Sequence, residues 1–159
     1  MSLDENRGGA EALLDRYSDM VLRIAVHNVG SVPDAEDVAQ EVFLKRIAAR
    51  RAFDSPEHEK AWMIRVTLNQ CRDFLKASHR KTVALDENIP SEEPDTEVLD
   101  AVLRLPADLK NVIYLHYYEG FGIAEIARIL RRRESTVSSR LHRAREALRA
   151  SLTGGFDNE

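Results

Sequence analysis

Leu105 to Leu148 read LPADLKNVIYLHYYEGFGIAEIARILRRRESTVSSRLHRAREAL, and three amphipathic patterns follow one another here with short breaks between them. Leu105-Pro106 opens the first, in which Leu109, Val112, Ile113 and Tyr117 recur at steps of three and four and predict one buried helical face. Gly120 and Gly122 punctuate its end. Ile123, Ile126, Ala127 and Leu130 form a second, short stripe. Arg131-Arg132-Arg133 interrupts it, and Val137, Leu141, Ala144 and Leu148 form a third, with Arg133 or Ser135 near its start. A short helix, a tight turn and a second amphipathic helix outline a helix-turn-helix.

Charge separates this motif from an ordinary solvated helix. Arg128 to Arg149 holds eight arginines against Glu134 and Glu146, in a chain whose net charge is −4. Arginine concentrated on one helix of an acidic chain is an electrostatic footprint for phosphates. Ser138, Ser139 and His142, set between the arginines, are short polar groups suited to base edges while arginines hold the backbone.

The same residues carry a family resemblance. Leu105-Pro106, Glu119-Gly120, Glu125-Ile126-Ala127, Thr136-Val137 and Ser139-Arg140-Leu141-His142-Arg143-Ala144-Arg145 resemble, in one register, region 4 of bacterial sigma-70 sigma factors of the extracytoplasmic-function group. That resemblance implies recognition of a promoter −35 element through Thr136, Ser138, Ser139, Arg140, His142, Arg143 and Arg145. Arg131 and Arg132 stand where the family has a glycine and an apolar residue in the turn, and Ser138 stands where it has a basic residue.

The bulk composition agrees with a helical protein. The chain has 159 residues, room for one ordinary domain or two small ones, and glycine, proline and aromatics are few. A single cysteine, Cys71, excludes an intramolecular disulfide framework, fits a reducing compartment and falls in an apolar helical pattern that predicts burial. No apolar run approaches the ~20 residues that span a bilayer, and the N-terminus lacks the basic and apolar segments of a signal peptide. Both point to the cytoplasm.

Ahead of the helix-turn-helix, three further helices are predicted. Leu13, Leu14, Tyr17, Met20, Val21, Ile24 and Ala25 give the first a stripe over residues 10–29, ended by Gly30-Ser31-Val32-Pro33. Asp34 is placed to cap the second, which runs to about Arg51 and buries Ala35, Val38, Ala39, Val42 and Ile47. Ser55 and Pro56 are placed as N-cap and first residue of the third, whose stripe is Ala61, Ile64, Leu68, Cys71 and Leu75 with Trp62, Val66 and Phe74 beside it. The three pack as a small bundle over residues 8–81. Asp86 to Asp100 then carries seven acids, no bases and two prolines, which predicts a flexible acidic linker over 82–97 before a second domain at 98–152. The expected class is therefore all-α, a three-helix bundle and a helix-turn-helix domain joined by that linker.

Two further stretches resemble the same family. Asp37, Gln40, Glu41 and Leu44 line one face of the second helix, and with Phe53 they resemble sigma region 2.2. The resemblance implies docking on the clamp coiled coil of the largest subunit of core RNA polymerase, where partner arginines would meet the acids. AWMIRVTLNQCRDFLKASHRK resembles regions 2.3 and 2.4, and Arg65, Asn69, Arg72 and Lys76 fall on one helical face that the resemblance assigns to −10 DNA. The loop at 50–59 is the candidate for holding an unstacked base, and Trp62 is a core anchor or a stacking group.

No Walker A loop or dinucleotide-binding fingerprint occurs, the five histidines lack paired metal-ligand spacing, and no Ser/His/Asp arrangement is identifiable from spacing. The reading is thus a non-enzymatic sigma factor without cofactor or metal. Its expected partners are core polymerase, promoter DNA and, by resemblance, an anti-sigma factor, in many cases membrane-anchored. The alternative is a stand-alone helix-turn-helix regulator.

Overall fold

The computed structural model describes the backbone at residues 3–81 and 96–154 and side chains at 9–78 and 97–152; most of the expected linker lies outside the described residues. Every regular element among them is helical: α1 Leu3–Val29, α2 Val32–Ala49, α3 Pro56–Lys81, α4 Thr96–Leu103, α5 Ala107–Ile113, a π-turn at Tyr114–Tyr118, α6 Ile123–Leu130 and α7 Glu134–Gly154. They fall into two compact units that divide between residues 84 and 85. No helix among the described residues is long and apolar enough to cross a membrane.

In the first unit α1, α2 and α3 each pack against the other two. Tyr17, Met20, Val21, Ile24 and Ala25 of α1 are buried with Ala35, Val38, Val42 and Phe43 of α2 and Met63, Ile64, Thr67 and Cys71 of α3. The α3 stripe is rotated from the expected one. Met63 and Thr67 are inside, whereas Leu75 is exposed, and the buried Thr67 hydroxyl is satisfied by the Met63 carbonyl at 2.6 Å. Leu14 and Ile47 also lie at the surface rather than in the core.

The caps follow local chemistry. Gly30 takes a left-handed φ of 82° to end α1, and the α2 cap is Ser31, not Asp34: the Ser31 Oγ accepts from the Asp34 N–H at 3.2 Å, with proline in the first turn. Asp34 then complements the positive end of the helix dipole. Ser55 caps α3 as expected, accepting from the His58 N–H at 3.1 Å.

One polar group joins all three helices. Glu59, in the first turn of α3, is 9% exposed. Its Oε2 accepts from Arg46 Nη2 at 2.6 Å and Nε at 3.1 Å, and its Oε1 from the Tyr17 hydroxyl at 2.8 Å and Arg16 Nη1 at 3.3 Å. Burial pushes this carboxyl up, but the hydrogen bonds from Arg46 and Tyr17 and the charges of Arg46 and Arg16 together hold it below the ordinary carboxylate value. Burial and then the neighbouring Glu59 carboxylate push the Tyr17 phenol up.

In the second unit α7 packs against α4, α5 and α6. Val137, Leu141 and Ala144 of α7 are wholly buried against Ala101, Val102, Leu105, Val112, Ile113, Tyr114, Leu115, Ile126, Ala127 and Ile129. The Tyr117 expectation fails here. The chain closes an i→i+5 bond from the Glu119 N–H to the Tyr114 carbonyl at 3.2 Å, and this wide turn holds one residue more than an α-turn. The shift in register buries Tyr114 and Leu115 and leaves Tyr117 and Tyr118 at the surface.

The helix-turn-helix turn is a Schellman closure: the Arg132 N–H bonds the Ala127 carbonyl at 2.9 Å and the Arg131 N–H the Arg128 carbonyl at 3.3 Å. Arg131 carries the left-handed φ of 55° that this closure demands, and this explains why glycine suits the position.

Two outcomes are expected. Stability supplied by the Glu59 network is complete above the ordinary carboxylate range and is lost as pH falls through the lowered folded value, because the unfolded chain takes up the proton first. Acid titration of Glu59→Gln followed by circular dichroism is thus expected to show a flatter loss than the parent as pH falls through and below the ordinary carboxylate range; superimposable limbs would contradict this. In the second unit, Arg131→Gly is expected to raise the thermal midpoint by relieving about 1 kcal/mol of backbone strain, and Arg131→Val to lower it.

Candidate polymerase and nucleic-acid interfaces

Three helices present polar faces that their own cores do not use. On α2, Asp37, Gln40, Glu41 and Leu44 are all exposed, because Ala35, Val38 and Val42 turn the opposite side inward. Beside them lies an open groove of about 370 Å³ between α1 and α2, lined by Leu14, Ser18, Leu22, Glu36, Ala39, Gln40, Phe43, Leu44 and Ile47. Sequence reasoning took Leu14 and Ile47 for core residues; at the surface they extend the acidic face with apolar area.

Phe53 does not join that face. Its ring lies 4.7 Å beneath the Arg46 guanidinium carbon, and Arg46 stands about 200° round α2 from Leu44. It also meets His58 edge-on at 5.2 Å and Trp62 at 5.7 Å, with Arg51 at 5.5 Å. Trp62 is accordingly half-buried as a partner of the loop rather than a deep core anchor. The signal for this cluster was three aromatic rings spaced over 53–62; its cationic lid comes from the preceding helix.

On α3, Asn69, Arg72 and Lys76 are exposed and Arg65 is half-buried, all on the side away from Met63, Ile64, Thr67 and Cys71. His79, Arg80 and Lys81, the expected basic tail, have side chains outside those described. Lys45 of α2 bonds Gln70, so this outward face is braced from α2.

On α7 the buried stripe decides every direction. Ser139, His142, Arg143 and Glu146 are exposed on the side opposite Val137, Leu141 and Ala144. Arg140 and Arg145 leave from the two flanks and meet side chains of their own unit, Arg145 at the surface. The Arg140 Nε stands 3.9 Å from the Asp108 carboxylate of α5, and the Arg145 Nε donates to the Tyr117 hydroxyl at 2.6 Å with its guanidinium carbon 5.4 Å from the ring centroid. Ser138 is exposed on one flank and Thr136 half-buried on the other, beside the exposed Arg131, Arg132 and Arg133. His142 lies 3.2 Å from Glu146, one turn on. No group of three or more His, Cys, Asp or Glu positioned to hold a metal occurs among the described residues.

Comparison with known proteins agrees with this arrangement. The family model for sigma-70 region 2 matches residues 13–81 and that for sigma-70 region 4 matches residues 95–148. The chain is 32% identical over 154 residues to the ECF RNA polymerase sigma factor SigL of Mycobacterium tuberculosis, covering 89% of this chain and 87% of that one. It is 28% identical over 162 residues to the ECF sigma factor SigW of Bacillus subtilis, covering 88% and 87%. Its fold is like that of the sigma factor RpoE of Bartonella quintana, solved with the anti-sigma factor NepR, at a TM-score of 0.72 and 22% identity over 90% of this chain and 96% of that one. CnrH, solved with the cytosolic domain of CnrY, gives 0.70 at 24% identity over 93% and 90%. With both regions matched in order and a relative of this identity along nearly its whole length, the chain belongs to the extracytoplasmic-function group of sigma-70 RNA polymerase sigma factors.

Proposed function

We propose that the three open faces divide the work of a sigma factor among named residues. Asp37, Gln40, Glu41 and Leu44 of α2, with the neighbouring apolar groove, dock on the clamp coiled coil of core polymerase. Arg65, Asn69, Arg72 and Lys76 of α3 face −10 DNA, and the loop at 50–55, shorter than the expected 50–59 because α3 starts at Pro56, receives an unstacked base beside Phe53. Ser138, Ser139, His142 and Arg143 of α7 enter the major groove at the −35 element, with Thr136 at the phosphate side. The domains take the bounds 8–81 and 96–152, the second moved forward from 98 because α4 starts at Thr96, joined by the acidic segment 82–95. Bond-making belongs to the polymerase, and the place of work is the cytoplasm. An anti-sigma factor of the kind that accompanies the related structures holds the chain inactive.

The observation that carries this reading is the state of the arginines on α7. Arg140 and Arg145 are engaged by Asp108 and Tyr117 of their own unit, the Arg145 contact at the surface, whereas Arg143 is exposed on the outward face with no such partner among the described residues. Arg143 is therefore the group free to make a bidentate contact with guanine, and Arg140 and Arg145 hold the helix at its angle. On α2, apolar side chains bordered by carboxylates suit a helical partner carrying apolar and basic residues.

Transcription in vitro from a pool of promoter templates with core polymerase, with and without the chain, tests the whole reading; an absence of chain-dependent transcripts would sink it. Asp37→Arg and Glu41→Arg are expected to weaken core association while shifting stability by no more than ~0.5 kcal/mol, since both side chains are exposed. A pull-down with wild-type yield would withdraw the docking face. Asn69→Ala and Arg72→Ala are expected to lower open-complex yield, read by permanganate, more than core binding. Arg143→Ala is expected to cost about 1–3 kcal/mol at one −35 base pair and relax preference there. A uniform loss over all −35 substitutions with a shallower salt slope would make Arg143 a phosphate contact instead.

A further inference from the structure

Glu59 touches neither the α2 acidic face nor the basic face of α3, and its burial is unusual for a charge. Glu57, in the same first turn, is exposed, so dipole complementation alone does not require an acid to be buried here. The two Glu59 oxygens are divided between helices: Oε1 is filled from α1 by Tyr17 and Arg16, and Oε2 from α2 by Arg46. Held through both Nε and Nη2, the Arg46 guanidinium is fixed in place, with its central carbon over the Phe53 ring at 4.7 Å from the centroid. A guanidinium can donate from its edge and stack with its face at once; an ammonium cannot do both.

Phe53 is the ring through which this reaches the loop. The loop starts from Arg50, a non-glycine residue at φ 46°, in the left-handed region that is costly for side-chain-bearing residues and persists when its surroundings hold it. At its far end Ser55 caps α3. Between these points the anchor is Phe53, clamped from above by Arg46 and edge-on by His58 and Trp62, while Arg51, Ala52 and Asp54 remain exposed.

We propose that Glu59 is a positioning residue for this loop: acting through Arg46 and Phe53, it sets the loop form that receives an unstacked base of the melted promoter strand. The inference rests on the proposed role of the loop in −10 engagement. Glu59 itself touches no DNA. It converts the packing of α1, α2 and α3 into the shape of a segment otherwise held by the Asp54 N–H bond to His58 Nδ1 at 3.4 Å and the Ser55 cap.

The test uses the full chain, alone and with core polymerase, and the variants Arg46→Lys, Glu59→Gln and Phe53→Leu. Trp62 is the only tryptophan and meets Phe53, so its emission and acrylamide quenching report the loop directly. Arg46→Lys keeps a cation beside Glu59 but loses the stacked plane. It is expected to increase Trp62 quenching and to weaken binding of the holoenzyme to a pre-melted promoter bubble roughly ten-fold, within the range one base-stacking contact carries. Core affinity is expected to stay at the wild-type value. Arg46→Lys combined with Phe53→Leu is expected to lose no more than either alone, since both act on one ring. Glu59→Gln is expected to act in the same direction where it remains folded. Wild-type quenching and bubble affinity in Arg46→Lys would overturn the proposal, as would fully additive losses in the double variant. Failure of the wild-type holoenzyme to bind any bubble would strike the promoter-opening role of the loop, and Trp62 quenching on the chain alone would still decide the coupling.

Discussion

Both units are small, and domains near about 80 residues have little apolar surface to spare for fixing their helices. Each borders its apolar stripe with guanidinium groups tied inward. In the first unit Arg46 reaches across to Glu59; in the second Arg140 reaches Asp108 and Arg145 reaches Tyr117. The two settings differ in weight. The Arg46–Glu59 pair is nearly enclosed and shares its carboxylate with Tyr17 and Arg16, so it ties three helices at one point. The α7 pairs are at the rim and are worth far less, but they decide how the helix is rolled. Arginine therefore has two occupations in this chain, and geometry sorts one from the other where composition cannot.

Much of this was readable beforehand because stripes of Val, Ile, Leu and Ala at helical spacing report burial directly. Val137, Leu141 and Ala144 are inside, and their position alone turns Ser139, His142 and Arg143 outward. Where the reading slipped, a contact at long range or an irregular turn had intervened. Local spacing carries no signal for the role of Glu59, because its donors lie 13 and 42 residues away in the chain. Tyr117 was assigned to a buried stripe by counting turns of equal size, and the π-turn breaks that count. Ser31 rather than Asp34 caps α2 because proline in the first turn marks the earlier start.

The candidate site was legible to a similar depth. The α2 acids and the α3 basic face follow from helical spacing, and both are exposed where spacing put them. Phe53 did not stay with the acids, since an aromatic ring near a buried guanidinium gains more from stacking there than from solvent exposure. The apolar groove beside Gln40 and Leu44 was hidden for the opposite reason. Leu14 and Ile47 fit core stripes on their own helices, and only the meeting of α1 with α2 shows that they fall outside the contact.

The arginine at the elbow of the helix-turn-helix has a consequence for how faithful the chain is. A backbone that would be easier with glycine instead carries a cation, and Arg132 and Arg133 extend it to three exposed charges in a row. Charges that meet phosphates release counterions, a gain that vanishes as the surrounding electrolyte thickens and that every DNA sequence offers alike. Base-edge contacts are less sensitive to it. If the proposed −35 reading brings this elbow to the phosphates, fidelity would depend on the ionic surroundings as well as on the chain: dilute electrolyte would let the elbow strengthen right and wrong sites alike, and concentrated electrolyte would leave discrimination to α7.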